Sequence, residues 1–173
     1  MHIAKKNVTL GSVSGIGLLV LSGFILSWTL ISCVNEREHL SDNELISSLN
    51  ENIEHYTSLV TMFRDDAPLS IAHPIRIHPR NSIFPQRWQE YKRLFNKLKI
   101  EAGMRRWQEE SIWFISSTQS LASGASSKGL MYQPKSPSPL YNSLDEHPKD
   151  LNSNVKGYRK INEDWYIVYD WDD

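Results

Sequence analysis

The chain has 173 residues, 40% of them hydrophobic and 23% charged, with a formal net charge of −1. That length suits one ordinary domain plus an anchor, and the near-neutral balance lacks the basic excess of a nucleic-acid-binding domain. A single cysteine, Cys33, excludes an internal disulfide framework.

The first predicted element is an anchor. No residue between Lys6 and Glu36 is charged, and the run "GIGLLVLSGFILSWTLIS" is apolar apart from small Gly, Ser and Thr. About 20 such residues cross a bilayer, whereas a cleavable secretory core needs only about 7–15. A transmembrane or signal-anchor helix is therefore expected over about 12–33. Lys5 and Lys6 stand before it and the mixed charges of Glu36, Arg37 and Glu38 after it, so the positive-inside rule leaves the short N-terminal tip in the cytoplasm. Residues 1–35 are the tip and anchor, and residues 36–173 are exported.

Leu30-Ile31-Ser32-Cys33 resembles the bacterial lipobox, which makes Cys33 a candidate for lipidation. The length of the run, Trp28 near the outer interface and the Gly11-xxx-Gly15 spacing favour an uncleaved helix instead. An unmodified small residue at a helix end is the third reading, since free cysteine packs as a small hydrophobe. Either anchored form places the domain at the outer face of a bacterial inner membrane, in the periplasm.

The exported part reads as α+β. Ser41-Asp42-Asn43-Glu44 is a capping box, and Leu45, Ile46, Leu49, Ile53, Tyr56, Val60 and Phe63 continue at spacings of three and four. The pattern predicts one helix over roughly 42–64. "SIAHPIRIHPR" is expected to be extended, because a residue before proline is pushed out of the helical region. Pro85 opens a second helix whose stripe is Trp88, Tyr91, Leu94, Phe95 and Leu98, closed by Gly103. "SIWFISSTQ" and "KGLMYQ" read as strands joined by "SLASGASS", and "GYRKI" and "WYIVYDW" as a hairpin turning on Asn162-Glu163-Asp164. Two amphipathic helices on one face of an antiparallel sheet of about four strands is the expected architecture. Residues 134–156, with four prolines and no period, form a Pro/Ser-rich loop, in which a short helical turn around Leu140 to Leu144 would relieve an otherwise long irregular stretch.

No constellation assigns a reaction. His73 and His78 sit five apart, which on one strand points them to opposite faces, and no metal or cofactor site is predicted. Ser41-Asp42-Asn43 matches a triplet of penicillin-recognising enzymes, but the residue three before Lys128 is Ala125 rather than serine. Residues 72–107 carry nine Lys/Arg against two Glu, a balance of +7, while residues 161–173 carry five carboxylates and no base. Arg87, Lys92 and Arg93 in the basic section could meet anionic lipid headgroups or cell-wall polymer; a solvated helix face explains the same residues. On the terminal strand, Trp165, Ile167, Tyr169 and Trp171 share one face and are expected in the core. Tyr166, Val168 and Asp170 share the other, and uncovered they would make an interaction platform.

"SSKGLMY", "SPLYNSLD" and "YRKINEDWYIVYDW" together resemble a pattern of small bacterial envelope proteins: a Lys-Gly-aromatic strand, a Pro/Ser-Leu-Asp loop and a terminal Tyr-Arg then Trp-Tyr hairpin. The resemblance covers the last third of the chain. It implies a bacterial source and a recurring small domain, and it supplies no activity and no functional residue. The expected function is a non-enzymatic accessory or interaction module with an envelope partner. The alternative is an envelope hydrolase or small-ligand-binding protein using a cleft between helices and sheet, with Lys128 and the nearby serines as its polar groups.

Overall fold

The computed structural model describes residues 38–108, 110–121 and 124–172, which lie in one compact unit. The anchor at 12–33, the lipobox and Cys33 fall outside these residues. Among the described residues, no helix is long and apolar enough to cross a membrane.

Among the described residues, three helices and seven strands follow in the order α1 (Asp42–Glu51), α2 (Ile53–Asp65), β1 (Ile71–His73), β2 (Arg76–His78), α3 (Pro85–Leu98), β3 (Met104–Trp107), β4 (Ser111–Leu121), β5 (Gly124–Tyr132), β6 (Lys156–Lys160) and β7 (Trp165–Asp172). The capping box is formed: the Ser41 hydroxyl accepts from the Glu44 amide at 3.3 Å and the Ser41 amide donates to the Glu44 carboxylate at 2.7 Å. The single helix expected over 42–64 is broken at Asn52, which leaves helical geometry at φ −128°, ψ 24°. Its side-chain amide donates to the Ser48 carbonyl at 3.1 Å, so Asn52 closes α1 while its own carbonyl opens α2 toward the His55 and Tyr56 amides. Asparagine favours such a local bond over continuing a helix.

The sheet is antiparallel throughout, in the order β2-β1-β3-β4-β5-β7-β6. The α+β class stands, but the strands number seven rather than four. The additional strands are short ones: "IAH" and "RIH" make a hairpin within the stretch expected only to be extended, and "MRRW" pairs β1 to β4. Three or four residues carry too little alternation to register as strands.

All three helices pack on one face of the sheet. Leu45, Leu49, Tyr56, Leu59, Phe63, Tyr91, Phe95 and Leu98 meet Met104, Ile112, Phe114, Leu130, Trp165, Ile167 and Tyr169 in the main core. Trp165 touches Tyr56, Phe114 and Tyr132 with ring centroids 5.7, 5.6 and 4.9 Å away. Two glycines allow the close approaches. Gly103 has φ +78°, and a Cβ there would lie 2.1 Å from the Ala72 carbonyl oxygen; a Cβ on Gly129 would lie 2.0 Å from that of Phe114.

The second face carries a smaller core of Trp113, Ile115, Met131, Tyr158, Tyr166 and Val168, in which no helix takes part. Strand β4 changes phase between Ile115 and Ser117, where a bulge leaves Ser117 opposite Lys128. Residues 134–156 form no helical turn at Leu140 to Leu144. Leu140 instead bridges Tyr158, the Tyr158 amide donates to the Pro139 carbonyl, and Leu144 and Leu151 are buried in the main core. The loop is thus ordered by docking along the β6 edge.

Candidate functional site

Alternation along β5 turns Ser126, Lys128, Leu130 and Tyr132 toward the helices, which puts an ammonium group inside the fold. Lys128 is 1% exposed and Asp42, at the first turn of α1, is 0% exposed. Their charged atoms are 2.8 Å apart, and Asp145 approaches the same ammonium at 3.1 Å. The other Asp42 oxygen accepts from Arg159 at 2.7 Å and from the Leu144 amide at 2.8 Å. The Asp42 amide donates to Asp145 at 2.5 Å, and that bond, with Lys128 behind it, holds the Asp145 carboxyl below its usual range. Two cations and two carboxylates therefore neutralise one another. A buried charge persists only when paired and hydrogen-bonded in this way.

His39 sits beside this network. Its Nδ1 lies 2.7 Å from the Ser117 hydroxyl and its Nε2 2.7 Å from that of Ser126, while its ring meets Tyr169 edge-on at 5.6 Å. Burial, and then the charge of Lys128, lower its pKa to about 4. A serine against an imidazole is half of a nucleophile–base pair. Here the second imidazole nitrogen meets a hydroxyl rather than a carboxylate, and a base works best with a pKa near the working pH. Ser126 is also only 3% exposed. Chemically, the arrangement stitches the segment ahead of α1 to strands β4 and β5.

On the second face lies a different set. Arg105 on β3 stacks over Trp113 at 4.3 Å and Trp107 at 5.4 Å. Lys156 on β6 lies over the same rings, 4.1 Å from Trp107 and 4.8 Å from Trp113. Strands β3 and β6 are separated by three others, about 19 Å on a flat sheet, which is farther than these two side chains can span. The sheet must curl to bring them together, making this face concave. One carboxylate serves both cations: Asp170 is 2.7 Å from Lys156 and 3.8 Å from Arg105. Burial pulls the pKa of both cations down, and Asp170 opposes the shift.

The predicted residues divide between the two sides of the sheet. Tyr166 and Val168 are 9% and 0% exposed, so they are part of the inner core and not an uncovered platform, and Asp170 beside them is held by the cations. On α3, which packs on the first face, Arg87 is committed to Asp66 at 2.8 Å and Glu90 at 3.1 Å. Lys92 lies over Trp88 at 4.6 Å, and Arg93 is exposed. The structure does not bring this basic trio to the terminal strand. His73 and His78 are carried by two paired strands, and the register puts both on the face opposite Ala72 and Ile77, so the single-strand geometry expected for them does not hold. Among the described residues, no group of three metal-ligating side chains forms.

Sequence reasoning missed Asp42 and His39 as partners of β5, because the contacts with Lys128 and Ser126 span 86 and 87 positions. Arg105 and Trp107 did carry a signal, their spacing of two, which a strand reading of "MRRW" would have put on the face of Trp113. The described surface also has open grooves, among them one of about 500 Å³ between α1 and the end of α3, lined by Asn43, Glu44, Ser47 and Lys97, and one of about 510 Å³ in the 141–150 loop. Comparison with protein-family models, with curated proteins and with solved structures gives no match to this chain.

Proposed function

We propose that this chain is a membrane-anchored module of the bacterial envelope that works by binding rather than catalysis, its domain held outside the inner membrane by the 12–33 segment. The observation that carries this reading is the sequestration of its reactive chemistry. Lys128, Asp42 and Ser126 are 1%, 0% and 3% exposed; Lys128 and Asp42 are spent on each other and Ser126 on His39. What reaches solvent is suited to contact: Ile75 and Phe84 are 79% and 81% exposed in a stretch with three arginines and no carboxylate between Asp66 and Glu90. An envelope protein is the expected partner, with anionic lipid or cell-wall polymer as a contact for the basic section. Gentle crosslinking in intact cells followed by detergent extraction tests it: a discrete partner is expected, and recovery of the protein alone and monomeric refutes it. Mass spectrometry of the extracted chain reads the anchor. An intact Met1 supports the spanning helix, a chain beginning at diacylated Cys33 supports the lipoprotein form, and soluble protein cut elsewhere refutes both.

One observation favours a second reading, a hydrolase: the 2.7 Å approach of Ser126 to His39. Labelling of Ser126 by a fluorophosphonate probe, lost in Ser126→Ala, would establish it. Absence of labelling leaves the binding reading.

A further inference from the structure

We propose that the concave second face is an oxyanion-binding site, in which Arg105, Lys156 and the indole N–H groups of Trp107 and Trp113 receive a carboxylate, phosphate or sulfate group. The inference rests on the binding reading above and gives it a ligand chemistry. Its first support is a mismatch of charge. Two cations contact one carboxylate, Asp170, and the exposed Asp172 acts on Lys156 only from beyond contact, so within contact distance the cluster holds one positive charge more than it balances, in a place where charges are poorly hydrated. The second is a mismatch of donors. Arg105 Nε, Trp107 Nε1 and Trp113 Nε1 are buried and find no acceptor, although indole N–H groups usually do when buried and a buried donor left unpaired is costly. These are independent observations and they coincide in space: both cations stack within 5.4 Å of both rings, and the two indoles lie 6.4 Å apart.

The approach route is through Arg105. Its side chain is 34% exposed and meets Asp170 only at 3.8 Å, against 2.7 Å for Lys156, which is 9% exposed. Lys156 is therefore the fixed cation of the site and Arg105 the one free to swing, turning its fork of donors onto an arriving anion while remaining over the rings. Guanidinium suits that task because it presents several N–H groups in one plane and is weakly hydrated.

The test uses the full chain in detergent micelles, with indole groups labelled with nitrogen-15. Acetate and phosphate are titrated separately, with chloride at equal ionic strength as the control. Saturable movement of the Trp107 and Trp113 N–H resonances is expected with at least one of them, while those of Trp88 and Trp171 stay in place; Trp107→Phe and Trp113→Phe assign the signals. Which of the two saturates first separates a carboxylate source from a phosphoryl one. Arg105→Gln should raise the half-saturation concentration about tenfold or more, the loss expected for a charged hydrogen bond. The milder Trp107→Phe, which keeps a ring and removes one donor, should raise it less. Movement no greater than with chloride, equal movement of all indoles, or an unchanged Arg105→Gln titration would overturn the proposal. Partner capture and anion titration are separate readouts, so a missing partner beside a working titration removes the module reading and not the site, and the reverse holds too.

Discussion

Replacing Asp42 by alanine tests whether the buried ion network holds the helices to the sheet. Asp42 is fully buried and takes four contacts through its carboxylate and amide, from Lys128, Arg159, Leu144 and Asp145. The substitution leaves Lys128, 1% exposed, with only Asp145, whose side chain is 44% exposed. It also strips the Leu144 amide of its acceptor. Removing one partner of a buried pair costs about 3–5 kcal/mol, from a total of about 5–15 kcal/mol for an ordinary domain. At about 2–4 °C per kcal/mol for a chain near this size, the midpoint of thermal unfolding should fall by about 6–20 °C, as read by circular dichroism of the full chain in detergent. Lys128→Met alone should also destabilise, whereas Asp42→Ala with Lys128→Met leaves Arg159 and Asp145 in balance. The double variant is expected to be more stable than the sum of the singles predicts, by about 0.5–3 kcal/mol. A single variant that melts within about 2 °C of the parent, or strict additivity, would refute the claim that these charges depend on one another.

The pH response should be set in part by His39. Its pKa is near 4 in the fold and 6.5 otherwise, so between those values the unfolded chain binds a proton that the fold refuses; stability is complete above about 6.5 and falls as the pH drops toward 4. Denaturant midpoints at pH 7 and pH 5 should therefore differ, and by less in His39→Gln. A chain ending at Asn162 should lose its cooperative transition, because β7 pairs with both β5 and β6 and buries Trp165, Ile167 and Val168. One ending at Trp171 should stay within about 0.5 kcal/mol of the parent, as changes at exposed positions usually do. Gly129→Ala should cost about 1–3 kcal/mol or more by urea titration, since its Cβ would meet the Phe114 carbonyl at 2.0 Å; an unchanged midpoint would mean that β4 yields there.

Much of the main core was legible. The stripe of α3, the alternation of Trp165, Ile167, Tyr169 and Trp171, and the turn at Asn162 are written in local spacing, and the turn is fixed by Asn162 accepting from the Asp164 and Trp165 amides. Local spacing cannot say what lies across a sheet. Tyr166 and Val168 read as an exposed face because their cover is supplied by the curl of seven strands, three of them too short to leave a pattern. The stretch "SLASGASS" ahead of Lys128 read as a connection for a related reason. The serines and glycine in it are the composition of a loop, yet both strands run on to Leu121 and from Gly124, and the partner that makes a lysine tolerable there lies 86 positions earlier, at Asp42.

The extra residue in β4 acts like a shifted reading frame. Up to Ile115 the strand sends even-numbered side chains to the helices, as at Ile112 and Phe114; past the bulge it is the odd-numbered Ser117 that faces their side. Ser117 can therefore bind His39 only because Ser116 is spent on the change of phase. Removing Ser116 would leave every residue of the clamp in the protein and Lys128 in its place, yet would move the clamp out of step with the strand beside it. The hold of β4 and β5 on the residues just ahead of α1 is thus encoded in a count of residues as much as in their kinds.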